Sequence, residues 1–158
     1  MDEDLLDSSH WRPLRLLLDS MDRDILALYD EAGITGLRSR YVGPLIQLSR
    51  REAMTIQELA RSVEVTHSAM SQTAAAMRDA GLVESAEGGD GRTRRVRLSA
   101  RGRELLPFFR AEWRATEAAV RELDAQLPYP LTRVVDDIRA ALAERPFADR
   151  LRAHLELE

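Results

Sequence analysis

Apolar residues recur at helical spacing along most of the chain and alternate strictly only once, near its middle. Leu14, Leu17, Leu18, Met21, Ile25 and Leu28 keep a three-and-four rhythm. It predicts a helix opening at Pro13, where a missing amide is tolerated, and closed by Gly33. The polar first dozen residues predict a frayed end. Leu37–Leu48 predicts a second helix with Tyr41, Leu45 and Leu48 on one face, which Gly43-Pro44 either kinks or divides. Thr55-Ile56-Gln57-Glu58 has the spacing of a capping box, in which threonine and glutamate each satisfy the other's free amide. Ile56, Leu59 and Ala60 are then expected to face a core, with Val63-Glu64-Val65 as a turn.

Thr66 is a suitable cap for the next helix, which Gly81 closes. Its inward positions read as Ala69, Met70, Thr73, Ala74 and Met77, and the small residues Ala69, Ala74, Ala75 and Ala76 permit close packing on the helix before. Leu82–Glu84 and Arg94–Leu98 read as two short strands joined through Gly88-Gly89-Asp90-Gly91. Alternation of Arg95 and Arg97 with Val96 and Leu98 gives the hairpin one wet and one buried face. Ser99 can cap a long helix through Leu105, Phe108, Phe109, Trp113, Val120 and Leu123, which Pro128 and Pro130 stop. A further amphipathic helix covers Leu131–Ala143, and a short one follows Pro146. The whole pattern is mainly α with a small β hairpin, in the order of a winged helix-turn-helix with helical extensions. It divides into 1–36, 37–103 and 104–158.

Composition changes this picture in one respect. The formal charge of -4 over 158 residues averages unlike parts. Residues 1–35 carry nine acids and three arginines, 36–103 seven acids and twelve arginines, and 104–158 eleven acids and eight arginines, for local balances of -6, +5 and -3. Polyanions respond to the local field, so the middle is the candidate contact surface for double-stranded DNA. All basic residues are arginine; a bias that reaches into the acidic ends reflects a G+C-rich coding sequence more simply than a ligand. With no cysteine there is no disulfide, thiolate metal site or redox thiol. No apolar run nears the roughly 20 residues that span a bilayer, so the expected location is the cytoplasm, with no membrane partner.

A helix enters the major groove only if its outer side is narrow and polar while its back is held by other helices. His67, Ser68, Ser71 and Gln72 meet that condition near the start of the Thr66–Ala80 helix, whose N-terminus also favours phosphate. Gln72 can pair with adenine or touch phosphate, and His67 can reach backbone or base. Arg78, farther along, suits the backbone. The hairpin adds Arg92, Arg94, Arg95, Arg97 and Arg101 against the single acid Asp90. Arg92 at its tip suits a narrow minor groove, with Asp90 orienting the guanidinium, while Arg94 or Arg95 would grip phosphate.

With these residues in place, the chain resembles the MarR family of bacterial transcriptional regulators. The match runs through Thr55-Ile56-Gln57-Glu58-Leu59-Ala60, Val65-Thr66-His67-Ser68-Ala69-Met70-Ser71 and Met77-Arg78-Asp79-Ala80-Gly81-Leu82-Val83. It continues through Asp90-Gly91-Arg92 and Val96-Arg97-Leu98-Ser99-Ala100-Arg101-Gly102. The resemblance implies a homodimer joined through its terminal helices, both winged modules on a pseudo-palindromic operator. It places Arg92 at the wing tip with Asp90 as its acidic partner, and Ser68, Ser71 and Gln72 on the recognition helix. It also implies repression relieved by a small phenolic or otherwise amphipathic ligand. Two departures stand out: Glu84-Ser85 replaces a more usual basic residue after the first wing strand, and Gly43-Pro44 interrupts a helix that normally runs smoothly.

Trp11, Tyr29, Tyr41 and Phe108 are candidates for an effector pocket; packing in a core or dimer is the plainer reading of each. His10, His67 and His154 lack the clustered carboxylates or thiolates of a metal site. The serines lack a base constellation and there is no glycine-rich phosphate loop, so neither a cofactor nor enzymatic activity is expected. Within DNA binding, the alternative is a regulator with no ligand. Outside it, the alternative is a winged-helix module whose positive face serves an acidic protein.

Overall fold

Helices form where the apolar rhythm placed them, and tertiary packing decides which of their residues meet a core. The computed structural model describes residues 9–86 and 95–155. The elements are α1 (Arg12–Glu31), α2 (Ser39–Leu48), β1 (Met54–Thr55), α3 (Ile56–Ser62), α4 (His67–Asp79), β2 (Val83–Ala86), β3 (Arg95–Leu98), α5 (Ala100–Gln126), α6 (Leu131–Glu144) and α7 (Phe147–His154). Internal contacts divide the chain into two units, Met1–Ala111 and Glu112–Glu158.

In the first unit, Tyr29, Leu45, Leu48, Met54, Leu59, Met70, Met77, Leu82, Val96 and Phe109 make one buried cluster drawn from every element between α1 and the first turns of α5. Pro44 does not divide α2: the helix runs unbroken through it, and Pro44 is buried with Tyr41, Val42, Leu45 and Leu48. Burying that face outweighs a mid-helix proline cost of about 3 kcal/mol. The capping box forms as its spacing requires. The Glu58 amide donates to Thr55 Oγ1 at 3.1 Å, and the Thr55 amide donates to Glu58 Oε2 at 2.8 Å. Thr66 Oγ1 accepts from the Ala69 amide at 3.2 Å and starts α4. Between them, Glu64 turns the chain with φ of 56°, a left-handed conformation that glycine takes more readily.

The sheet has a strand that the alternation did not reveal. Met54–Thr55 pairs antiparallel with β3, Met54 opposite Val96, and the strand order is β1-β3-β2. Two residues are too short for a period-two signal, and only the partner strand defines them as a strand. β2 pairs antiparallel with β3 from Val83 opposite Leu98 to Ala86 opposite Arg95. At the next step, Ser99 Oγ caps α5 by accepting the Gly102 amide at 3.0 Å. Gly102 lies against the Leu82 carbonyl, where any Cβ would collide with backbone.

In the second unit, the Leu131 amide that opens α6 donates to Asp124 Oδ1 at 2.9 Å. The Arg150 guanidinium ties α7 to the end of α6 through the carbonyls of Ala141 at 2.8 Å and Arg145 at 3.1 Å. None of its described residues is fully buried. Leu131, Val134, Val135, Ile138 and Leu142 on α6, and Phe147 and Leu151 on α7, stay exposed.

Candidate nucleic-acid interface

The outer side of α4 is a polar stripe. His67, Ser68, Ser71, Gln72, Ala75 and Arg78 are all exposed, while Met70, Ala74 and Met77 on the opposite side are buried. Intervals of three and four residues keep the stripe on one face of a helix 13 residues long. One expected inward position, Ala69, and one small residue expected to pack closely on the preceding helix, Ala75, are corrected: both are exposed. Alanine is apolar enough to fit either side, so the rhythm was set by the methionines, and of the four small residues only Ala74 is fully buried. The first-turn amides of α4 lie at the same end as His67 and Ser68, giving that end a partial positive charge.

The hairpin arginines divide by what they already hold. Arg97 Nε donates to Glu84 Oε1 at 2.7 Å, directly across the β2–β3 ladder. Glu84, a departure at the level of sequence, thus neutralises a neighbouring cation. Arg95 is half-buried and its Nη2 donates to the Ala53 carbonyl at 2.7 Å, pinning β3 to the chain entering β1. Its charge also falls on Glu58, whose carboxyl is held below the usual range first by the Thr55 backbone amide, then by the Thr55 hydroxyl, with lesser help from Arg95 and Arg51. Asp90, Arg92 and Arg94 lie outside the described residues. Arg101, grouped with the hairpin by its charge, belongs to the first turn of α5.

The aromatic candidates for an effector pocket do not come together as one lining. Tyr29 and Tyr41 are core residues, 1% and 5% exposed, whereas Trp11 is 48% exposed. Phe108 is half-buried and stacks edge-on with Tyr29, ring centres 5.8 Å apart. A cavity of about 370 Å³ opens elsewhere in the first unit, bounded by Leu48, Ser49, Arg51, Arg97, Arg103 and Leu106 among others. Neither the apolar rhythm nor the aromatic count marks it, because its lining comes from α2, the turn after it, β3 and α5. Among the described residues, no group of three or more His, Cys, Asp or Glu is placed to hold a metal ion.

The sequence model of the MarR family matches residues 33–93, a span that opens in the α1–α2 turn and ends between β2 and β3. The M. tuberculosis transcriptional regulator MosR, solved in complex with DNA, is 30% identical, with 85% of this chain and 93% of that one covered and a TM-score of 0.58. The chain belongs to the MarR family. Members of that family are DNA-binding transcriptional regulators, and α3 and α4 are the helix-turn-helix pair of this one. A MarR-family regulator from Silicibacter pomeroyi is 31% identical over 82% of this chain and 92% of its own, with a TM-score of 0.49. A mutant E. coli MarR complexed with operator DNA shares the fold at 15% identity, covering 92% of this chain and all of its own, with a TM-score of 0.58. No curated protein matches the sequence.

Proposed function

We propose that the protein is a sequence-specific repressor that binds a pseudo-palindromic operator as a homodimer and leaves it when a small amphipathic ligand binds. The observation that carries the DNA reading is the α4 stripe: six exposed, mostly hydrogen-bonding positions on a helix whose back is locked into the core. On this reading His67, Ser68, Ser71 and Gln72 meet base edges or adjacent phosphates, Arg78 meets the backbone, and Arg92, supported by Asp90, enters the minor groove. Arg94 joins the backbone contacts. Arg95 contributes chiefly field, since its guanidinium is engaged by Ala53. A DNA partner places the protein with the chromosome, in the cytoplasm. Among the described residues, no helix is long and apolar enough to cross a membrane.

Self-association is supported by apolar side chains left in water. Leu14, Leu17, Leu18 and Leu28 are exposed on α1, and a separate set is exposed on α6 and α7. Such patches on a small chain mark protein interfaces. A two-fold pair would present two copies of α4, spaced about 34 Å for successive turns of one duplex face. For the ligand, the cavity beside Leu48 and Leu106 offers apolar walls, the guanidinium side chains of Arg51 and Arg103 and the carboxylate of Glu52, with Arg97 already paired to Glu84; that mixed lining suits an amphipathic molecule. Release requires that the ligand favour a shape that fits DNA poorly; occupancy alone shifts nothing.

The test is selection of bound duplexes from a random pool, followed by titration of the selected and a scrambled duplex at several salt concentrations. A two-fold symmetric consensus and a preference of about a thousandfold or more are expected. Binding that is absent or indifferent to sequence overturns the reading and favours an acidic protein as the partner. A salt slope by itself does not separate these outcomes.

A further inference from the structure

The exit of α4 is fastened to the start of α5 by three successive carbonyls. The Leu82 carbonyl accepts from the Ser99 amide at 3.0 Å, and the Gly81 carbonyl from Ser99 Oγ at 2.6 Å. The Ala80 carbonyl accepts from Arg101 Nη1 at 3.1 Å. Arg101 Nη2 reaches the other way, to the Thr35 carbonyl of the α1–α2 turn, at 3.2 Å. That turn runs beside α4's end, where a Cβ built on Gly36 would make ordinary van der Waals contact, at 3.9 Å, with the Ala80 Cβ. One guanidinium therefore joins three segments that are far apart in sequence. Its cation also sits at the negative end of α4, the end farthest from His67 and Ser68.

We propose that Arg101 is a positioning residue for the recognition helix: its two-way bond to Ala80 and Thr35 fixes how α4 projects, and so how well its polar stripe meets the bases. The inference rests on the reading of α4 as the DNA-contacting helix. Arginine is suited to the task because its planar fork serves two carbonyls at once, whereas lysine supplies the charge without the fork. Arg101 is solvent-exposed, but both its terminal nitrogens are engaged by backbone carbonyls, so it acts through α4 and not through a phosphate contact of its own.

Two measurements test this. The chain has no cysteine, so Ala75→Cys accepts a single nitroxide on the exposed side of α4. In the free protein, at a temperature where circular dichroism shows it folded, Arg101→Met is expected to raise the label's mobility, with Arg101→Lys in between. On unlabelled protein, Arg101→Met is expected to weaken binding to the wild-type-selected duplex roughly five- to tenfold, with partial rescue by Arg101→Lys. Binding to scrambled DNA and the salt slope should not change. Unchanged mobility, or unchanged specific affinity, overturns the proposal. A salt slope lowered by about one reassigns Arg101 to phosphate and overturns it as well. If wild-type protein selects no sequence, the DNA reading itself falls, and the label still reports on whether Arg101 holds α4.

Discussion

Gln72 and Arg95 show how differently two polar side chains of one basic region are employed. Gln72 is exposed on α4 with nothing in the fold demanding it. Gln72→Ala should therefore leave thermal stability within about 0.5 kcal/mol and change base preference at a single half-site position by about 1–3 kcal/mol. Repeating the duplex selection with the variant checks this; an equal loss at every position would assign Gln72 to phosphate. Arg95 is half-buried on the Ala53 carbonyl. Arg95→Ala should cost about 1 kcal/mol of stability by denaturant unfolding while the salt slope of DNA binding stays as in wild type. A slope reduced by about one would return Arg95 to the phosphate-gripping role that charge alone gave it.

Helix α3 depends on its cap more than most, because seven residues give it few internal bonds. Thr55→Ala removes the acceptor for the Glu58 amide and should destabilise the protein by about 1 kcal/mol. The same box sets a pH dependence. Glu58 is held below its ordinary value chiefly by the Thr55 amide, so the folded state binds its proton less readily than the unfolded chain. Its contribution is therefore present above the unfolded carboxylate value and lost as pH falls through the lowered folded one. Unfolding of wild type and Glu58→Gln from pH 7 downward should show the two converging in acid; a constant gap would mean that the hydrogen bond, not the charge, matters. At the junction of α5, Gly102 is required by space, since a side chain would strike the Leu82 carbonyl.

At the scale of the whole molecule, the proposed self-association rests on apolar side chains exposed on α1, α6 and α7. Val134, Val135, Ile138 and Leu142 on α6 each leave more than a third of their surface exposed. Ile138→Asp should drive the protein towards monomer in sedimentation equilibrium at micromolar concentration. It should also weaken operator binding at least tenfold, because a monomer engages one half-site without the gain from linking two. A variant that keeps wild-type mass and affinity would remove α6 from the interface.

The helices and their caps are legible in the order of residues alone, because they depend on side chains within four positions of each other. Thr55 with Glu58, Thr66 with Ala69 and Ser99 with Gly102 could all be read from spacing, and so could the outward polar positions of α4. Packing in three dimensions is what makes Met54–Thr55 a strand, lets Pro44 sit inside α2, and bonds Arg95 and Arg97 to Ala53 and Glu84. It alone brought Arg101 to Thr35 and Ala80, 66 and 21 residues away. A pattern of apolar positions says which side of an element faces inward. It carries no information on which distant carbonyl, carboxylate or strand edge will be waiting there, because that depends on how the packed elements close around one another.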